Sequence, residues 1–213
     1  MLITEAKKSR GAGMPIGDAS AKWRLFAAIA IPASVRETLH HEQRELKSFV
    51  PSGAVRWVPP EQFHLTLKFL GDVPTYSVAS LVESLAGTCS QVRPFGLRAR
   101  GIGFFPGTRS PRVIWVGVES GDETLVEFQR QVEAALSRHV ETQVPEKFLA
   151  HVTLGRFQKY RRHRAAGLRS LPESCNTRVF GEWQVQEAGL FRSELSPDGA
   201  RHSLVASCRL ITK

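Results

Sequence analysis

Cysteine is scarce in this 213-residue chain. Cys89, Cys175 and Cys208 are the full set, and none belongs to a Cys-x-x-Cys pair. The odd count argues against a disulfide framework, and the spacing argues against a structural zinc site. Buried, inert thiols are expected instead. Long apolar runs are missing as well; nothing approaches the roughly 18 residues of a membrane-spanning helix. Lys7, Lys8 and Arg10 stand near the start with no apolar segment behind them. No secretory leader is therefore expected, and a cytoplasmic location is. There is no His-Glu-x-x-His pattern and no cage of carboxylates, so neither a metal nor a cofactor is expected. Acidic residues are the minority, 20 against 29 Lys and Arg, which leaves a net charge of +9. Such an excess favours polyanionic partners without identifying one.

What is present reads as an ordinary globular composition, 42% hydrophobic and 23% charged. The length suits one compact domain or two small lobes sharing a core. Residues 1–21 carry Gly11, Gly13, Pro15 and Gly17 without apolar periodicity and are expected to be a flexible extension. The folded part, residues 22–213, then alternates strand and helix signals. Leu25–Ile31 reads as a buried strand, followed by a helix from Pro32 through Val35, Leu39, Leu46 and Phe49. Short strands are expected at Val55–Val58 and Phe63–Leu70, with a turn at Gly71-Asp72 and a helix over Val78–Leu85. Phe95–Phe105 and Arg112–Val118 read as strands, with a bulge or bend at the intervening glycines. Leu125, Phe128, Val132, Ala135 and Leu136 describe an amphipathic helix. Ala150–Phe157 is a strand, Tyr160–Leu171 a short basic helix, and Val179–Phe191 and Ser203–Leu210 the last two strands, with a turn at Ser196–Gly199.

One pattern occurs twice. His64-Leu65-Thr66-Leu67 and His151-Val152-Thr153-Leu154 stand 87 residues apart (positions 64 and 151), each with a phenylalanine close upstream, Phe63 or Phe148. The spacing suggests two copies of a strand–helix unit related by a pseudo-twofold axis. Side chains alternate faces along a strand, so His64 and Thr66 share one face and His151 and Thr153 share another. The leucines and the valine anchor the opposite faces in a core. Two such strands side by side surround one point with two imidazoles and two hydroxyls. Opening a cyclic phosphodiester needs a base to take a proton from water and an acid to protonate the departing ribose oxygen. Histidine titrates near neutrality and can do either. Threonine hydroxyls can donate to the non-bridging phosphate oxygens.

The motifs carry a family resemblance with them. The chain resembles the two-histidine (2H) phosphoesterase superfamily, and most closely its bacterial and archaeal RNA 2′,3′-cyclic phosphodiesterases, also described as 2′-5′ RNA ligases. Both His-x-Thr-Leu motifs match, as do Arg24–Ile29, Val55–Pro59, Gln62–Gly71, Pro111–Gly117 and Leu190–Leu195. The resemblance implies a two-lobed α+β fold, with antiparallel sheets around a central cleft and helices outside. It implies His64 as proton donor, His151 as proton acceptor, Thr66 and Thr153 as phosphate-binding residues, and a 2′-phosphomonoester product. It also implies a substrate among RNA 2′,3′-cyclic phosphate ends, tRNA fragments included, or small cyclic nucleotides. Ala150 stands where that family commonly has proline before the second histidine. Two alternatives remain open: 2′-5′ ligation as the reverse reaction, and a non-catalytic RNA- or nucleotide-binding module. Retention of both histidines and both threonines argues against the second.

Phe26 lies near where the family places an aromatic at the cleft and is a candidate substrate-binding residue, with core packing as the plainer role. Arg156, read as in phase with His151 and Thr153, is a candidate for phosphate. The basic run Arg161–Arg164, with Arg169, is a candidate RNA contact. Trp57, Trp115 and Trp183 are assigned to the core, and His40 and His41 to a helix surface. His139, His163 and His202 receive no role. A monomer is expected, because one chain supplies both half-sites.

Overall fold

The computed structural model describes residues 21–140, 147–158, 173–196 and 199–211. The glycine-rich start, the basic run Arg161–Arg164 with Arg169 and the expected helix around it, and Pro197-Asp198 lie outside the described residues. Nine strands and three helices follow in chain order: β1 (Lys22–Ala30), α1 (Ala33–Lys47), β2 (Val55–Trp57), β3 (His64–Pro74), α2 (Val78–Cys89), β4 (Phe95–Phe105), β5 (Val113–Glu119), α3 (Thr124–Ser137), β6 (His151–Phe157), β7 (Val179–Val185), β8 (Glu187–Ser196) and β9 (Gly199–Arg209).

The strands run antiparallel in the order β7-β4-β5-β6-β3-β1-β8-β9, with β2 also on β6. At the middle, β3 and β6 share one register pair, Leu65 with Val152. Elsewhere the neighbours pair at length; β1 with β3 alone has nine partner pairs. The order thus divides into two antiparallel sheets, β7-β4-β5-β6 with β2 added on β6, and β3-β1-β8-β9, joined by a narrow seam. This is the two-lobed α+β arrangement that the resemblance implies. β1 lies between β3 and β8, and Leu25 to Ile29 are all buried, the continuous apolar run of a strand covered on both faces. The helices cover the outer faces: α1 packs on β7, α2 on β8 and β9, and α3 on β3 and β4. Val35, Leu39 and Leu46 of α1 and Leu125, Phe128, Val132 and Leu136 of α3 point into the core.

Two expectations need correction. Gly71-Asp72 is not a turn, because β3 continues to Pro74. Leu25 pairs with Gly71 and the next residue, Phe26, with Phe69, so Leu70 is a bulge residue. Gly71 has a φ of 70°, a left-handed conformation that glycine adopts freely, and it absorbs the bend there. Val179–Phe191 is also not one strand. It breaks at Gln186 into β7, which pairs with β4, and β8, which pairs with β1 and β9. Val185-Gln186-Glu187 holds no Gly, Pro, Asn or Asp to signal a turn, so local pattern does not reveal that the two pieces join different sheets. The bulge expected in the glycine-rich part of β4 is present between Arg100 and Ile102.

The two motif strands share a finer feature. Ala28 pairs with Thr66 and Ala27 with Lys68, which leaves Leu67 as an extra residue. Trp115 pairs with Thr153 and Ile114 with Gly155, which leaves Leu154 as an extra residue. Each bulge carbonyl is held by a helix glutamine: Gln129 of α3 donates to Leu67 O at 3.1 Å, and Gln43 of α1 donates to Leu154 O at 2.9 Å. Gln43 also donates to Val58 O at 2.8 Å. Gln43 is buried; replacing it removes the side-chain donor from Val58 O and leaves Leu154 O with only the Val58 N–H, at 2.9 Å. Gln43→Leu should lower unfolding free energy by about 1–3 kcal/mol, read as an earlier midpoint in urea unfolding; an unchanged midpoint would show that the contact carries no stability.

Candidate active site

Burial repeats between the motif strands over seven residues, with His64 to Leu70 and His151 to Phe157 following the same order. His and Thr are half-buried, the residue between them and the leucine after them are buried, and the sixth residue is exposed. The Leu65–Val152 pair sets the strands antiparallel at the seam, which carries His64 toward Thr153 and Thr66 toward His151. All four motif side chains thereby reach one cleft. Ala150, at the proline position, accepts a backbone bond from Val118 at 3.0 Å, and His151 pairs with Gly117. Pairing to β5 therefore fixes how the chain approaches His151.

Each imidazole is oriented in the same way. His64 Nδ1 lies 2.7 Å from Gln62 O, and His151 Nδ1 lies 2.7 Å from Leu149 O. A carbonyl can only accept, so Nδ1 carries the hydrogen in both rings. When neutral, both rings keep a bare Nε2. Burial pushes the His64 imidazole down to about 4. The bond to Gln62 opposes this, while His202, Arg156 and His151 add to it as like charges. Burial also lowers His151, again against a carbonyl bond and with Arg156 as a like charge.

Arg156 belongs to the same cleft, for a reason that plain alternation misses. An unbroken strand would place Gly155, not Arg156, in phase with Thr153; the bulge at Leu154 shifts the phase by one. Arg156 acts electrostatically on His64, His151 and His202. Arg56 of β2 lies directly across from it and, after partial burial, also lowers its pKa. Phe26 is buried, at 3% exposure. Its ring centroid is 4.8 Å from His64, 5.4 Å from Phe191 and 6.2 Å from Phe69. It forms the floor beneath His64, while Phe69 is the exposed ring, at 64%.

Three residues near the histidines carry no signal in the sequence that marks them as part of a site. His202 of β9 is 5.2 Å from His64, ring to ring and perpendicular. Phe105 is 5.1 Å from His151 and stacks on Trp115 at 5.0 Å. Trp115, expected in the core, instead flanks His151 at 6.1 Å. It lies flat over Gly103, where an added Cβ would sit 2.0 Å from the indole. Trp57 and Trp183 do pack on the core. All three cysteines are buried free thiols, as expected. His40 is half-buried and His41 exposed on α1. Among the described residues no group of three His, Cys, Asp or Glu could hold a metal, and no helix is long and apolar enough to cross a membrane.

Known proteins share this architecture. The family described as LigT-like phosphoesterase matches the chain twice, over residues 29–115 and 116–202, once for each motif. A relative from Methanothermobacter thermautotrophicus, named RNA 2′,3′-cyclic phosphodiesterase, is 34% identical over 84% of this chain and 94% of its own length. One of the same name from Aquifex aeolicus is 27% identical over 85% of this chain and 94% of its own. Among solved structures, a Thermus thermophilus protein superposes with a TM-score of 0.69 at 30% identity, covering 88% of this chain and 97% of that one. E. coli LigT complexed with 3′-AMP superposes with a TM-score of 0.71 at 26% identity, covering 90% of this chain and 99% of that one.

Because burial disfavours the charged ring, the NMR titration midpoints of both His64 and His151 should fall below the ordinary 6.5, with His64 the lower. The neutral rings should show protonated Nδ1 in their ¹⁵N shifts. A His64 midpoint at or above 6.5 would contradict the burial argument.

Proposed function

Because the chain belongs to the LigT-like phosphoesterase family, we propose that it hydrolyses 2′,3′-cyclic phosphodiester ends of RNA to 2′-phosphomonoesters, with His64 as proton donor and His151 as proton acceptor. The supporting observation is the paired orientation: two imidazoles, each fixed through Nδ1–H to the carbonyl two residues upstream, share one cleft with Thr66 and Thr153. The names of the curated relatives support the same reaction and substrate class.

The step runs as follows. His151 Nε2 takes a proton from water as its oxygen bonds to phosphorus. The bond from phosphorus to the ribose 3′ oxygen breaks, and His64 Nε2–H passes its proton to that oxygen. A ring whose Nδ1–H is already committed to a carbonyl exchanges protons only at Nε2, so neither histidine must rotate. Thr66, Thr153 and Arg156 neutralise the non-bridging oxygens where charge accumulates. No metal takes part in this scheme. Phe26 contributes as the surface on which His64 rests. One chain carries both halves, so a monomer suffices. Ligation through a 2′-5′ bond is the same step with an RNA 5′-hydroxyl in place of water: His151 takes the hydroxyl proton as its oxygen bonds to phosphorus, and the 3′ oxygen leaves with the proton from His64.

His64→Ala and His151→Ala should each lower turnover of an RNA ending in a 2′,3′-cyclic phosphate by about 10²- to 10⁴-fold while the folded spectrum is retained. Wild-type turnover in either variant would end the proposal, and product analysis on the same RNA separates 2′- from 3′-phosphate and hydrolysis from ligation. Activity should also persist in EDTA. The base must be neutral, so activity falls as pH drops through the His151 pKa. The acid must be protonated, so activity falls as pH rises through the His64 pKa. Both are lowered in the free protein, so the kcat/KM profile, which reports the free enzyme, should peak below about 6.5, the ordinary histidine value. A maximum on the alkaline side would refute acid–base catalysis by this pair of histidines.

A further inference from the structure

His202 lies on β9, three strand positions from β3 in the order β3-β1-β8-β9. Adjacent strands are about 4.8 Å apart, so a flat sheet would separate them by roughly 14 Å. The rings nevertheless approach to 5.2 Å. On β9 His202 pairs with Ser193, two residues beyond Phe191, which pairs with Phe26, so the two imidazoles meet across the Phe26 ring. His202 also meets Phe26 edge-on at 4.9 Å. It therefore stands over the same floor as His64, on the side of the cleft where the proposed leaving oxygen departs.

Its hydrogen bonding is the inverse of that of the other two histidines. His202 Nδ1 is buried and has no hydrogen-bond partner among the described residues. Protonating that nitrogen would bury an N–H with no acceptor, beside His64 and facing the Arg156 charge from β6. The hydrogen is cheaper on Nε2, the nitrogen left to the cleft. Where His64 and His151 present a bare Nε2, His202 presents an N–H. Its lowered pKa, caused by burial and then by Arg156, agrees with a ring that stays neutral.

We infer that His202 is a third histidine of the site, a neutral Nε2–H donor to a phosphate oxygen of the substrate on the His64 side. This rests on the cyclic phosphodiesterase reading. A fixed neutral donor there needs no proton exchange during the reaction and strengthens as charge gathers on the oxygen, so its effect belongs in kcat rather than KM.

The test compares His202→Phe, which keeps a ring of similar shape without the donor, with His202→Gln, which restores an N–H. On a dinucleotide ending in a 2′,3′-cyclic phosphate, His202→Phe should lose about 10- to 100-fold in kcat with KM little changed, and His202→Gln should recover most of it. Phe at the wild-type rate, or Gln as impaired as Phe, would overturn the proposal in favour of simple packing. ¹⁵N shifts of the free wild-type protein should show His202 protonated at Nε2, and inorganic phosphate should move that resonance. A protonated Nδ1, or no response to phosphate, would also overturn it. Wild-type protein that leaves the cyclic phosphate intact would instead refute the underlying reaction, and the NMR result would still decide the donor assignment.

Discussion

The site depends on a one-residue slip in each motif strand, held in place by a glutamine from the opposite layer. Without the extra Leu67 and Leu154, alternation would run unbroken past the histidines, and the residues beyond would face the wrong side. With them, His and Thr look into the cleft, two consecutive residues sink into the core, and the next side chain emerges again. A bulge displaces a carbonyl from the regular ladder, and a displaced buried carbonyl needs a donor. Gln129 and Gln43 supply it, from helices that occupy corresponding places in the two halves. The outer helices are thus tied to the motif strands through one side-chain amide each.

The same economy governs the histidines. Among the described residues no carboxylate hydrogen-bonds either ring; a backbone carbonyl orients each one. A carboxylate would fix the tautomer equally well but would also favour the charged ring. A carbonyl fixes the tautomer while adding no charge, so burial prevails and both rings rest neutral. With Arg156 alongside and, among the described residues, no acid paired with it, this side of the seam is electropositive, with bare nitrogens, and suits an anion that brings its own compensating charge.

The repeated motif, its facing rule and the two-lobed α+β fold are legible in the amino-acid sequence, because alternation along a strand is local and the Leu65–Val152 seam only juxtaposes what each strand already displays. Arg156 can be nominated from sequence but not justified, since its phase depends on a bulge that emerges only in the pairing of β6 with β5. His202 is invisible there. Nothing around it repeats, and its closeness to His64 depends on how β3, β1, β8 and β9 pair together. Trp115 is misassigned by pattern because an apolar strand residue looks the same whether it faces a core or flanks an imidazole. The break at Gln186 escapes pattern for a related reason: changing sheets requires no turn residue.

The two halves are alike in backbone and unlike in what they carry, and an acid–base pair requires that difference. Two identical imidazoles would share one affinity for protons, leaving nothing to decide which gives and which takes. Here the position after the bulge is Phe69 in one half and Arg156 in the other, and His64 sits deeper, over Phe26 and against His202, than His151 does beside Phe105 and Trp115. The depth costs His64 its proton in the free protein, the opposite of what a proton donor needs. A bound phosphate monoanion reverses that balance: it sets an opposite charge beside the buried ring, where the local dielectric is low and the attraction correspondingly strong. In the proposed reaction the substrate therefore charges its own acid, and His64, the deeper of the two motif histidines, gains more from the anion's arrival.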